Sequence, residues 1–96
     1  MKFIYQAKYN NKDFEFTKFL VIEETNLFIR CIDINGVEIY FENDISKIAF
    51  CERNAILLLI DEYTKLCKLY PYNCRTYLYI QRKILREYNK KYIALY

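Results

Sequence analysis

The run from Ala55 to Ile60 is apolar at all six positions, and two tight-turn signals, Asn35-Gly36 and Arg53-Asn54, precede it. A chain carrying the stretch from Asn26 to Ile60 has to bury it, so the remaining elements are constrained to pack around it. A half-buried strand alternates with period two, whereas a strand covered on both faces reads as a continuous apolar run. Six residues between turn signals suit a strand better than a helix, so residues 55–60 are expected to form the central strand of a sheet.

The two turns set the expected pairing. In a type I′ hairpin both central residues take positive φ, which Asn and Gly tolerate best. That turn puts Ile34 opposite Val37, Ile32 opposite Ile39 and Arg30 opposite Phe41 on a core face. Asp33 with Glu38, Cys31 with Tyr40 and Ile29 with Glu42 then fall on a mostly wet face. The second turn pairs Cys51 with Ile56, Ala49 with Leu58 and Lys47 with Ile60, with Phe50–Leu57 and Ile48–Leu59 on the other side.

Lys2 to Tyr9 suits a first strand, Asn10 to Asp13 a polar turn, and Phe14 to Ile22 a second strand with Phe14, Phe16, Leu20 and Ile22 on one face. Glu23 to Asn26 makes a further turn. Asp61-Glu62-Tyr63 turns the chain into Thr64–Tyr70, a seventh strand stopped by Pro71, which has no N–H for a ladder. Asn73 then serves as an N-cap for a helix from about Cys74 to Tyr92. On a helical wheel Tyr77, Ile80, Gln81, Ile84, Tyr88 and Tyr92 share one side, flanked by Leu78 and Leu85. The closing Ile93-Ala94-Leu95-Tyr96 continues the helix or packs beside it.

The fold class expected is therefore α+β: about seven antiparallel strands within residues 2–70, a sandwich or partly open barrel, and one amphipathic helix over about 74–92. All 96 residues form a single domain, with an apolar fraction of 54% that is ample for a core. No stretch approaches the apolar length that spans a bilayer, and the N-terminus has no apolar segment with a small-residue cleavage site. A cytoplasmic protein, in the host cell if phage-encoded, is the expectation.

Few catalytic arrangements remain open to this chain. It has no His and a single Gly, which removes the commonest general base near neutral pH and any glycine-rich phosphate loop. The four cysteines, Cys31, Cys51, Cys67 and Cys74, include no CxxC pair. They read as small, partly buried thiols and not as zinc ligands. No enzyme activity, metal or cofactor is expected.

Seven short strands joined by tight turns and closed by one helix is the element order of pleckstrin-homology-like domains. The segments LFIRCIDI, VEIYFE, NDISKIAF and AILLLI, within Thr17 to Tyr92, resemble bacterial PH and GRAM-type sequences. The resemblance implies two nearly orthogonal sheets with the helix closing one end, and a binding module for phosphoinositides or proteins. Lipid recognition in that family wants a basic first hairpin loop. Neither Asn10-Asn11-Lys12-Asp13 nor Glu23-Glu24-Thr25-Asn26 is basic, so a protein partner is implied.

The net charge of +3 divides unevenly: residues 1–60 carry seven basic and nine acidic side chains, and residues 61–96 eight and three. Two surfaces follow. Arg75, Tyr79, Arg82, Lys83, Arg86 and Lys90 form a basic ridge on the helix, opposite its apolar stripe, fit for RNA, DNA or an acidic protein. Asp33, Glu38, Glu42 and Asp44, with Glu23 and Glu24, make an acidic strand face able to occupy a basic groove. Eleven tyrosines supply interface-type contact area. Ile, Lys, Asn, Tyr and Phe make up about half the chain, and their codons are AT-rich, as in low-GC bacteria and their phages.

The expected function is a non-enzymatic, protein-binding inhibitor from a phage or mobile element, similar to anti-CRISPR-type proteins, that blocks a larger nucleic-acid-handling protein. A nucleic-acid-binding module using the basic helix, or a PH-like adaptor of the host, are the alternatives.

Overall fold

In the computed structural model, which describes residues 1–93, a four-stranded antiparallel meander is followed by two helices packed as a hairpin. The strands are β1 (Phe3–Tyr9), β2 (Phe14–Glu24), β3 (Phe28–Ile32) and β4 (Glu38–Glu42), paired in the order β1-β2-β3-β4. A 3-10 turn at Ile45–Lys47 leads to α1 (Glu52–Leu69), and a second at Pro71–Asn73 leads to α2 (Cys74–Tyr88). A π-helical turn, Asn89–Ile93, extends α2. The expected tail Ile93–Tyr96 lies outside the described residues from Ala94 onward.

The α+β class holds, but the seven strands do not. Residues 55–60, expected as the central strand, lie in the first half of α1, and Thr64–Tyr70, expected as the seventh strand, form its second half and its C-cap. The physical reason is visible in the stretch as a whole. From Glu52 to Leu69 there is neither Gly nor Pro, and the strong helix formers Ala, Leu, Glu, Lys and Arg fill eleven of the 18 positions. Ile56, Leu59, Ile60 and Tyr63 recur at helical spacing and pack on α2 and the first hairpin. Arg53-Asn54 is the first turn of that helix, with Glu52 at its positive end. With α1 helical, the sandwich that the PH-type resemblance implies is not formed.

The Asn35-Gly36 hairpin forms in a different register from the expected one. Asp33 N–H donates to the Val37 carbonyl, Gly36 N–H donates to the Asp33 carbonyl, and Gly36 alone in the loop takes positive φ, at 80°. This is a three-residue loop with Asp at the first turn position and Gly in the left-handed region, not a two-residue type I′ turn. The Asp33 carboxylate fixes it by accepting from the Asn35 and Val37 amides at 2.8 and 2.9 Å. The extra residue shifts the pairing by one, so Ile29 faces Phe41, Arg30 faces Tyr40 and Cys31 faces Ile39. Because side chains alternate, that shift turns the other face of β3 inward, while Ile39 and Phe41 of β4 stay on the core side as expected. Cys31 and Ile29 are buried, while Ile34 and Val37 are exposed.

The sheet buries opposite faces at its two ends. Ile4 pairs with Phe19 and Val21 with Cys31, and these join Ile29, Ile39 and Phe41 in a core closed by Ile48. Ala7, Tyr9, Phe14 and Phe16 point the other way from the first hairpin and meet Ile56, Ile84 and Tyr88 of the helices. Full burial of an Ile is worth about 1.5–3 kcal/mol, so the fully buried Ile4, Ile29, Ile56 and Ile84 anchor both layers. A register shift between Val21 and Glu23 in the long β2 supplies the kink expected of a bulge. The segment before α1 is tied to the sheet where Tyr5 N–H donates to the Ala49 carbonyl at 2.9 Å.

Candidate interaction surface

α2 occupies nearly the span that the sequence predicts for it, and its stripe of Tyr77, Ile80, Gln81, Ile84 and Tyr88 turns inward. The inner face is fixed by polar contacts as well as burial. Gln81 Nε2 donates to the Ile60 carbonyl and to Thr64 Oγ1 on α1, at 2.9 and 2.7 Å. The Arg53 guanidinium donates to the Tyr88 hydroxyl at 2.8 Å. Asn73 does not cap the helix through its side chain. The Pro71–Asn73 turn delivers the chain into α2 instead, with Pro providing the fixed φ that suits a helical start.

These contacts orient the outer face. Arg75, Tyr79, Arg82 and Arg86 are exposed there. Arg75, Arg82 and Arg86 are separated by seven and four residues, which is two turns and one turn, or roughly 10 and 6 Å along the axis. Among the described residues none of the three is ion-paired. The other members of the predicted ridge are committed elsewhere. Lys83 is half-buried with its Nζ 4.9 Å from the Tyr79 ring centre, and Lys90 pairs with Glu87 at 3.5 Å.

Leu78 and Leu85 flank the arginine row, and both are exposed, at 38% and 39%. They were expected beside the inward stripe. Their wheel positions, about 100° from its centre, carried the signal that they sit at the rim. Among the described residues the outer face of α2 is thus an exposed, mixed apolar and cationic surface.

Most of the predicted acidic residues are held by local partners. Arg30 bridges Glu38 at 2.7 Å and Glu23 at 3.6 Å, and this hydrogen-bonded pair with Glu38 raises the Arg30 pKa. Lys47 bonds Glu42 at 3.0 Å, which raises the Lys47 pKa. Asp44 accepts from the Ser46 hydroxyl and amide, caps the Ile45–Lys47 turn, and has its pKa lowered chiefly by those bonds. Asp33 is occupied by the hairpin loop.

An open groove of about 450 Å³ runs between the edge of β1 and α1, lined in part by Ile4, Phe41, Leu58, Tyr63 and Leu66. Its charged members, Lys8, Lys47 and Glu62, are not hydrogen-bonded to one another, so they make no acid–base pair. Among the described residues no group of three or more Cys, Asp or Glu side chains could hold a metal ion. No described helix is long and apolar enough to cross a membrane. Comparison of the chain with protein-family models, with curated proteins and with solved structures returned no match to any of them.

Proposed function

We propose that this chain is a non-enzymatic protein-binding module that docks the outer face of α2 on an acidic, partly apolar surface of a larger partner. The observation that carries the reading is the row of Arg75, Arg82 and Arg86, without carboxylate partners among the described residues, beside exposed Leu78 and Leu85. Interface cores favour Arg and aromatic anchors desolvated by neighbouring apolar contacts. A surface reading only phosphates has no use for the two leucines. The acidic strand residues are held by local partners, so the reading rests on α2 and not on the sheet. The AT-rich residue usage supports an inhibitor of phage or mobile-element origin that masks a surface of a nucleic-acid-handling protein.

The test is a pull-down from lysate of an AT-rich bacterial host, with nuclease treatment of half of each sample. The wild type runs beside Arg82→Glu/Arg86→Glu and Leu78→Asp/Leu85→Asp, each first shown to keep its helical circular dichroism. The reading expects a protein partner that survives nuclease and is lost in both variants. Recovery of nuclease-sensitive material that the leucine variant retains would replace it with a nucleic-acid-binding module. A partner retained by both variants would remove α2 as the interface.

A further inference from the structure

The corner between α1 and α2 brings two cysteines together. Cys67 lies in the last turn of α1 and Cys74 opens α2. Between them Tyr70 N–H donates to the Leu66 carbonyl, Asn73 N–H donates to the Tyr70 carbonyl, and Pro71 starts the 3-10 turn. This tight reversal folds the start of α2 onto the end of α1. Cys67 Sγ is 3.6 Å from the Cys74 carbonyl oxygen. Both cysteines are half-buried and free.

The other two cysteines are placed where they do not interfere. Cys31 is sealed in the sheet core, and Cys51 is exposed just before α1. Cys51 is sixteen residues from Cys67, roughly 24 Å along the helix. The pair is also too few in ligands for a closed metal site, since no described cluster reaches three.

We propose that Cys67 and Cys74 are a dithiol modification site that exchanges with small-molecule disulfides and closes to an intramolecular disulfide across the α1–α2 corner. The proposal is independent of the docking reading.

The chemistry is two successive exchanges with glutathione disulfide as oxidant. The Cys74 thiolate attacks one sulfur, the glutathione S–S bond breaks, and one glutathione leaves as thiolate and takes up the proton that Cys74 gave up. The Cys67 thiolate then attacks the Cys74 sulfur of the mixed disulfide, and the second glutathione leaves and is protonated in the same way. Two protein thiols are oxidised to one disulfide while one glutathione disulfide is reduced to two thiols. Burial first, and then the neighbouring Cys74, raises the Cys67 pKa. Cys67 Sγ lies against the Cys74 carbonyl, which places it to make the resolving attack on a mixed disulfide formed at Cys74. Resolution is intramolecular between residues held together at the corner, so it outruns capture of a second glutathione.

The experiment incubates the full, native chain with glutathione disulfide at neutral pH, quenches with acid, alkylates the remaining thiols and maps the products by mass spectrometry. The expected result is a cross-linked peptide pair joining Cys67 to Cys74, short of two hydrogens, with Cys31 unmodified. Cys67→Ser is expected to trap glutathione on Cys74 as a stable mixed disulfide. As a second readout, phenylarsine oxide should bind the native chain one-to-one through both sulfurs, and either Cys→Ser variant should lose that binding. A wild-type chain that keeps glutathione on Cys74 without closing, or one that is modified at Cys51 while Cys67 and Cys74 stay alkylatable, would overturn the proposal.

Discussion

Ile56 and Leu57 are adjacent in sequence and chemically close, yet the structure assigns them very different weights. Ile56 is 0% exposed between α1, α2 and the first hairpin, whereas Leu57 is 40% exposed on the outer side of α1. Ile56→Ala removes three carbons from a sealed site. At about 0.8 kcal/mol per buried methylene that is about 2.4 kcal/mol of transfer free energy. The cavity left behind brings the cost to about 3–4 kcal/mol.

A domain of this length has roughly 5–14 kcal/mol to lose. A midpoint drop of about 15–25 °C is therefore expected. Leu57→Ala gives up part of an already wet surface and gains helix propensity, so its cost should stay below about 1 kcal/mol. Urea unfolding followed by far-UV circular dichroism measures both, with unchanged m-values showing that the native state has not loosened. A strand covered on both faces at residues 55–60 would make the two substitutions equally damaging. Equal losses, or a spectrum lacking the helical signature of a chain with two long helices, would refute the assignment of α1.

Two other outcomes are expected. Gly36→Ala puts a side chain at φ 80° with no atom within 4 Å of the new Cβ, so the cost is conformational strain alone, about 1 kcal/mol by thermal unfolding. Alkaline pH should destabilise the fold: burial raises Cys31 and, as the largest cause, Tyr63 and Cys67 as well. The folded pKa values then lie above the unfolded ones. This stabilisation is complete below the ordinary thiol and phenol values of 9.0 and 10.0 and is lost as pH rises through the folded ones. Melting temperature measured against pH checks this, and Cys31→Ala should flatten the slope that begins near pH 9.0.

Some of this was legible in residues taken locally. β1 and the Asn10–Asp13 turn follow from pattern and turn chemistry, and Asn10 Oδ1 does accept from the Lys12 and Asp13 amides at 3.0 and 2.9 Å. α2 follows from a stripe with a clear period. The basic ridge was readable as a set, but which of its members stay free was not. Lys83 and Lys90 find their neighbours, Tyr79 and Glu87, only once the helix has a fixed rotation. The ion pairs that engage the acidic residues were not readable either: Arg30 reaches Glu38 only across the hairpin.

The sequence by itself determined the α+β class, the placing of β1 and α2, and the existence of the β3–β4 hairpin. Each is carried by a local period or by a residue with special backbone freedom. Only the tertiary structure decided the register of that hairpin, because Asp33-x-x-Gly36 and Asn35-Gly36 specify competing loops, and a slip of one residue exchanges the faces of β3. Packing also decided the state of residues 55–60. A continuous apolar run satisfies a buried strand and a buried helix equally, and here α2 and the first hairpin together offer a groove that a helix fills.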